Sequence, residues 1–156
     1  MQTPNVPLID LQSAATDSEQ LKLLDLACRD HGFFLLKNHG IQEEIDDMWK
    51  MSEWFFSQDR EEKLKLLRSE QIPLGFYDRE LTKQKRDLKE VFDFMETRSD
   101  SDINQWPREA KFKQTMENFF KKSSQVAEKT LELILICLGL TANENVFGDS
   151  RTSNAR

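Results

Sequence analysis

Residues 27–41 read ACRDHGFFLLKNHGI, a stretch that combines a helix end, a strand and a turn. Apolar residues recur at helical spacing up to Cys28, and Gly32 then follows, which is typical of a left-handed helix end. Residues 33–36 form an apolar run of strand length, closed by the polar turn at residues 38–40. Because this run is apolar throughout, it predicts a strand that protein covers on both faces.

The rest of the chain carries further helix signals on both sides of this stretch. Thr16 and Glu19 stand three residues apart, which is the spacing of a capping box at the start of the first helix. Apolar periodicity and flanking glycines or prolines predict five helices. They cover residues 17–31, residues 42–56, a short segment ending near Leu67, a long segment from Pro107 to Gly139, and a short segment within residues 141–147.

Strand signals are fewer. Residues 8–11 have the period of a short strand, and residues 91–96 alternate so that Phe92 and Phe94 share one aromatic face. The polar segment 69–87, interrupted by Pro73 and Gly75, predicts a loop with one extended segment. Together with the strand at 33–36, these patterns predict an α+β, helix-rich chain with two or three strands.

Composition excludes several classes of partner. The 156 residues carry a formal net charge of -6, which disfavours binding to a nucleic-acid backbone. No apolar run approaches the roughly 18–20 residues that a membrane span requires. Cys28 and Cys137 lie on the apolar sides of predicted helices, as small reduced hydrophobic residues do. We therefore expect a soluble, cytoplasmic chain with no nucleic-acid or membrane partner.

The order of several short motifs resembles one enzyme family. Before the stretch at 27–41, residues 6–11 read VPLIDL. After it, the chain contains Phe55-Phe56, Glu61-Glu62-Lys63, Gly75-Phe76-Tyr77, KEVFDF at residues 89–94, and Trp106-Pro107. In this order they resemble the N-terminal region of the isopenicillin N synthase-like, non-haem Fe(II)/2-oxoglutarate-dependent dioxygenases. The resemblance covers residues 6–156.

The resemblance implies an architecture. Residues 1–147 would form the helix-rich N-terminal domain of a double-stranded β-helix, or jelly-roll, oxygenase. Residues 148–156 would be a polar tail leading to the catalytic barrel, which is itself largely absent from the sequence. The missing C-terminal jelly-roll half is therefore the expected partner of this chain.

The resemblance also implies cofactors for the full-length enzyme: Fe(II) and 2-oxoglutarate, with ascorbate as reductant. The family holds iron with two histidines and one carboxylate, found in sequence as a His-x-Asp or His-x-Glu pair plus a distant histidine. This chain has two histidines, and neither His31 nor His39 begins such a pair. His39 instead matches a structural Asn-His-Gly turn of the family. We therefore expect no catalytic residue, no metal ligand and no bound cofactor in this chain.

What remains that could touch a substrate is limited. In the family, the N-terminal region helps to close the mouth of the active site. This implies Tyr77, Lys89, Phe92 and Phe94 as candidate lining residues for a small-molecule substrate, although each also suits a core or surface role. The full enzyme would hydroxylate, desaturate or cyclise that substrate.

A second hypothesis stays open at the level of sequence. The chain could be a stand-alone, non-catalytic binding or assembly module derived from the same region. Such a module would have to bury its apolar strand and its long helix against itself or against a partner.

Overall fold

The computed structural model describes residues 6–79, 81–82, 85–96, 103–140 and 154–155. Its helices are α1 (Ser18–Leu26), α2 (Gln42–Phe56), α3 (Arg60–Leu64) and α4 (Ala110–Cys137). Its strands are β1 (Leu8–Asp10), β2 (Leu35–Lys37), β3 (Gly75–Tyr77), β4 (Leu81–Thr82), β5 (Lys85–Arg86), β6 (Val91–Met95) and β7 (Asn154–Ala155). The chain divides into two compact units, one of residues 1–42 and 122–151, the other of residues 43–121 and 152–156.

The first unit is built around a small parallel sheet. Strands β1 and β2 pair with Leu8 opposite Leu35 and Ile9 opposite Leu36. Ile9 is completely buried and belongs to a core that also contains Leu11, Ala14, Leu24 and Leu133. Leu36 packs against the same core, so one face of the sheet is covered by α1 and by the second part of α4.

The described residues cover only one face of the strand at 33–36, whereas the sequence predicted that protein covers both. The paired residues are Leu35–Lys37, and the side chains of Phe33 and Leu35 are 59% and 56% exposed. The physical reason is alternation along the strand: Phe34 and Leu36 face the core, whereas Leu35 points to the opposite side. In the described residues, this opposite side carries the exposed Leu8 beside Leu35.

Helix α1 begins one residue later than the capping box predicted. Asp17, and not Thr16, is the N-cap, and its carboxylate accepts a hydrogen bond from the Glu19 backbone N–H at 2.9 Å. After Leu26 the helix widens into a π-helical turn over Ala27–His31. The turn ends at Gly32, whose φ of 73° is the left-handed conformation that the sequence indicated.

The polar turn after β2 is tied to β1. Asn38 donates a hydrogen bond from Nδ2 to Asp10 Oδ2 at 2.7 Å. His39 accepts the Ile41 backbone N–H on Nδ1 at 3.2 Å, which satisfies a donor just before α2. This contact gives His39 the structural role that the resemblance implied.

The second unit contains an antiparallel sheet in the order β3-β6-β7. A parallel bridge between Leu67 and Phe76 adds the chain that follows α3 to the other edge of β3. Aromatic and aliphatic side chains from α2, β3 and α4 form the core, with Phe55, Phe76, Phe112 and Met116 buried. This core fixes the position of strands β3 and β6.

The predicted helix boundaries agree with the structure to different degrees. Helix α2 has the predicted bounds. Helix α4 ends at Cys137, two residues before Gly139, whose φ of 73° is the left-handed conformation expected at the predicted helix end. Helix α4 begins at Ala110, three residues after Pro107. The helix predicted within residues 141–147 lies outside the described residues. In the part of the chain that the structure describes, no helix is both long enough and apolar enough to cross a lipid bilayer.

Candidate functional site

The site is built on the pairing of β3 with β6. Phe76 lies opposite Phe92, Gly75 opposite Asp93, and Tyr77 opposite Val91. Directly opposed residues of an antiparallel pair share one face of the sheet, and neighbours along a strand alternate. Phe76, Phe92 and Phe94 therefore face the core, whereas Tyr77, Val91 and Asp93 lie on the other face.

The core-facing side is an aromatic cluster. The Phe92 ring lies 4.8 Å from that of Phe55 and 5.2 Å from that of Phe112, measured between centroids. The Phe94 ring lies 5.3 Å from that of Trp106 and 6.2 Å from that of Phe120. Phe92 and Phe94, two of the four predicted lining residues, are thus half-buried among rings whose edge-to-face and tilted contacts stabilise the sheet against α2 and α4.

The opposite side carries a polar group of three residues, Arg68, Tyr77 and Asp93, which we call the arginine cluster. Arg68 follows α3, and its guanidinium carbon lies 3.6 Å from the centre of the Tyr77 ring. Nη1 of Arg68 also donates a hydrogen bond to Asp93 Oδ2 at 3.3 Å. The arginine therefore reaches across β3, stacking on a residue of β3 and pairing with a residue of β6.

Gly75 allows the chain after α3 to lie close beside β3. Its φ is 109°, and a Cβ atom at this position would lie 2.4 Å from the Leu66 carbonyl oxygen. The chain after α3 can approach β3 so closely because residue 75 has no side chain. Two backbone hydrogen bonds, from Phe76 N to Leu66 O and from Arg68 N to Phe76 O, hold it there.

Asp93 is the buried charge of the cluster. Its side chain is 7% exposed, and Oδ1 has no hydrogen-bond partner among the described residues. Arg68 is 33% exposed, so its guanidinium is open to solvent on one side. Buried carboxylates are ordinarily paired and fully hydrogen-bonded, and an unsatisfied one calls for an explanation.

Two ion pairs attach α3 beside the cluster. Arg60 pairs with the buried Asp78 at 2.7 Å, and the buried Lys63 pairs with Glu90 Oε2 at 2.7 Å. Lys63 also donates to the Phe56 carbonyl oxygen at 3.0 Å. These contacts fix α3, the helix that precedes the segment carrying Arg68.

The four lining residues predicted from the sequence are not brought to one surface. Tyr77 belongs to the arginine cluster, whereas Phe92 and Phe94 lie on the aromatic side of the same sheet. Lys89 precedes β6 and is exposed. Its Nζ lies 3.9 Å from Oδ2 of Asp87. Among them, Tyr77 is the one whose ring stacks on an open charged group.

Sequence reasoning missed Arg68 and Asp93. A carboxylate in the middle of the apolar strand VFDFM is a signal that could have identified Asp93, because a buried carboxylate needs a partner. For Arg68 the sequence offers no comparable signal, because the residue stands in a polar segment after a short helix. The position of Arg68 depends on the pairing of the chain after α3 with β3, which no local sequence pattern indicates.

The donor set does not fit an iron site. No three His, Cys, Asp or Glu side chains are grouped to hold a metal ion among the residues described. Both histidines lie in the first unit, His31 in edge contact with the Phe33 ring at 6.4 Å and His39 in the turn before α2. No chemical step through iron can be assigned to these residues.

The first unit contains an apolar groove of about 650 Å³. It is lined by residues of β1, α1, the π-helical turn and β2, including the exposed Leu8, Leu26 and Leu35. Asp30 and His31 add polar atoms to its lining. In the same unit, burial raises the pKa of the Cys137 thiol, so this cysteine is less nucleophilic than a free one.

Comparison with known proteins places these features in context. Residues 6–109 match the sequence family described as non-haem dioxygenase in morphine synthesis N-terminal. The chain is 40% identical over 77 residues to Gibberellin 20 oxidase 1 from Arabidopsis thaliana, covering 46% of this chain and 20% of that protein. It is 30% identical over 145 residues to Protein DOWNY MILDEW RESISTANCE 6 from the same plant, covering 89% and 42%.

The fold is similar to that of a solved complex from the fungus Neurospora crassa. This full-length protein, crystallised in complex with alpha-KG, superimposes with a TM-score of 0.77 and 26% sequence identity. The similarity covers 89% of this chain and 49% of the fungal one. The chain thus spans less than half the length of each of these three proteins.

Proposed function

Because the chain belongs to the N-terminal family of the non-haem dioxygenases, we propose that it forms the N-terminal part of an Fe(II)- and 2-oxoglutarate-dependent oxygenase acting on a small molecule. The observation that carries this proposal is the family match over residues 6–109. The similarity to the Neurospora crassa complex supports the choice of 2-oxoglutarate, since that protein was crystallised with alpha-KG.

In this proposal, a C-terminal jelly-roll half supplies the reactive centre. The iron ligands and the 2-oxoglutarate contacts come from that half, because the two histidines have no carboxylate grouped with them among the described residues and do not form the family's triad. When bound there, iron and 2-oxoglutarate would activate dioxygen, with ascorbate as reductant. Residues 1–147 act as the N-terminal domain, and residues 148–156 lead into the barrel.

The exposed apolar surface of the first unit supports a macromolecular neighbour. Leu8, Leu26, Phe33 and Leu35 are each between 46% and 59% exposed. Exposed apolar side chains that lie together are typical of a surface that another part of the protein covers. We propose that the barrel half covers this surface, and that Tyr77 in the second unit faces the substrate entrance.

A reconstitution experiment tests the proposal. The 156-residue chain is mixed with a barrel half that carries the complete iron triad and continues the same coding sequence, and succinate formation from 2-oxoglutarate is measured. We expect iron-dependent succinate from the mixture and a background level from the chain alone. If that coding sequence contains no barrel half, or if the chain binds the barrel without affecting its activity, the proposal is wrong.

A further inference from the structure

The arginine cluster has features of a ligand site that the fold itself does not require. The Arg68–Asp93 contact uses a single N–H at 3.3 Å, whereas charge-assisted pairs usually lie at about 2.7–2.9 Å. A guanidinium carries five N–H donors in a planar fork. Among the described residues, the other donors of Arg68 have no hydrogen-bond partner.

Both members of the ion pair are therefore incompletely satisfied. Asp93 uses one oxygen, and its buried Oδ1 accepts no hydrogen bond from the described residues. A purely structural ion pair at 7% and 33% exposure would gain from a bidentate geometry, which is absent here. The unused N–H donors of Arg68 can therefore take an acceptor from a ligand, whereas Oδ1 of Asp93, itself an acceptor, needs a donor and says nothing for a carboxylate.

The cluster is also held ready for a planar ligand group. The Tyr77 ring fixes the plane of the guanidinium at 3.6 Å, and Asp93 fixes its rotation within that plane. A guanidinium held in this way loses little conformational entropy when it binds. Its open edge matches the two oxygens of a carboxylate.

We propose that Arg68 binds the carboxylate of a small monoanionic molecule with an apolar body, with Tyr77 and Asp93 as positioning residues. The half-buried Val91 and Met95 lie on the same face of β6 and offer apolar contact beside the guanidinium. The Asp93 carboxylate lies beside Arg68, so a dianion meets more repulsion at this position than a monoanion does. The statement that this carboxylate is the oxygenase substrate rests on the proposed function. The statement that Arg68 binds a carboxylate does not.

The test uses the isotope-labelled 156-residue chain and follows Arg68 side-chain and backbone resonances by NMR during titration. The probes are phenylacetate, its neutral analogue phenylacetamide, and inorganic phosphate, all at constant ionic strength. We expect phenylacetate to bind in a saturable way and to shift the Arg68, Tyr77 and Val91 resonances. Phenylacetamide and phosphate should bind at least about tenfold more weakly.

Variants assign the binding to the cluster. Arg68→Met should weaken phenylacetate at least about tenfold, whereas Arg108→Met, which removes an exposed arginine of the same unit, should leave it unchanged. Arg68→Lys keeps the charge but loses the planar fork, and should weaken binding about threefold or more. Tyr77→Phe keeps the ring that stacks on Arg68 and should bind phenylacetate as the parent chain does. Tyr77→Leu removes the ring and should bind phenylacetate more weakly.

Several results would overturn the inference. They are absence of phenylacetate binding to the parent chain, equal binding of phenylacetamide or phosphate, and equal losses in Arg68→Met and Arg108→Met. If Arg68→Met fails to fold, judged by circular dichroism, an Arg68→Lys variant with parent-like affinity overturns it as well. Because the assay contains neither iron nor 2-oxoglutarate, its failure leaves the proposed oxygenase function standing, and failed turnover leaves this binding site standing.

Discussion

At the scale of single residues, Asp10 shows how one carboxylate organises a turn. It accepts hydrogen bonds from Asn38 Nδ2 at 2.7 Å and from the backbone N–H groups of Gln12 and Ser13. Partial burial alone would raise its pKa, but these hydrogen bonds and the charge of Lys37 together hold the pKa below its ordinary value. The ionised form of Asp10 therefore stabilises the folded first unit.

The first prediction follows from the direction of this pKa shift. Asp10→Asn should lower the midpoint of thermal unfolding at pH 7, because it replaces one of the two acceptor oxygens by an NH2 donor and removes the charge that faces Lys37. A carboxylate whose folded pKa is depressed stabilises the fold above its unfolded pKa and loses that effect as pH falls through the folded value. The difference between parent and variant should shrink below about pH 4 and vanish in stronger acid.

Asp59→Asn is the matched control for this measurement. Asp59 precedes α3, and its side chain makes no capping hydrogen bond. Its replacement should change the unfolding midpoint much less at pH 7. A difference between parent and Asp10→Asn that stays constant from pH 7 to pH 2 would contradict the assigned role of the Asp10 charge.

Residue 75 is the second position at which one atom decides the structure. Gly75→Ala would place Cβ 2.4 Å from a backbone carbonyl oxygen at a φ of 109°, and should cost about 3 kcal/mol or more. Gly32 also has a positive φ but has open space around it, so Gly32→Ala should cost only about 1–2 kcal/mol. Chemical denaturation of both variants measures the loss in free energy of unfolding. Equal losses would refute the close approach of the chain after α3 to Gly75.

At the scale of elements, the structure gives β2 one packed face and one open face. Leu36 packs on the core of the first unit, whereas Leu35 is 56% exposed. Leu36→Thr should therefore destabilise the chain by about 2 kcal/mol, and Leu35→Thr by less than about 0.5 kcal/mol. Urea unfolding of the two neighbouring variants checks this, and the reverse order would show that the opposite face of β2 is the buried one.

The elements also show what a sequence can predict. The bounds of α2 and the glycine ends after His31 and Leu138 were predicted correctly, because periodicity and left-handed glycines are local signals. The exposed face of β2 was not, because an apolar run does not reveal how many layers surround it. The arginine cluster was not predicted either, because Arg68, Tyr77 and Asp93 meet only when three segments pair side by side.

At the scale of the whole molecule, the family is established by sequence, and we propose that the activity depends on residues outside those described. Two histidines and the described carboxylates do not assemble an iron triad, and the chain spans less than half the length of the relatives compared. We propose that this chain shapes and closes an oxygenase active site whose reactive centre is supplied by another part of the protein.

The most direct test is the amount of succinate that the purified 156-residue chain forms from 2-oxoglutarate in the presence of Fe(II) and ascorbate. Our account predicts no more succinate than the same mixture forms without protein, with or without phenylacetate. Catalytic succinate formation that requires the chain, Fe(II) and 2-oxoglutarate together would contradict it.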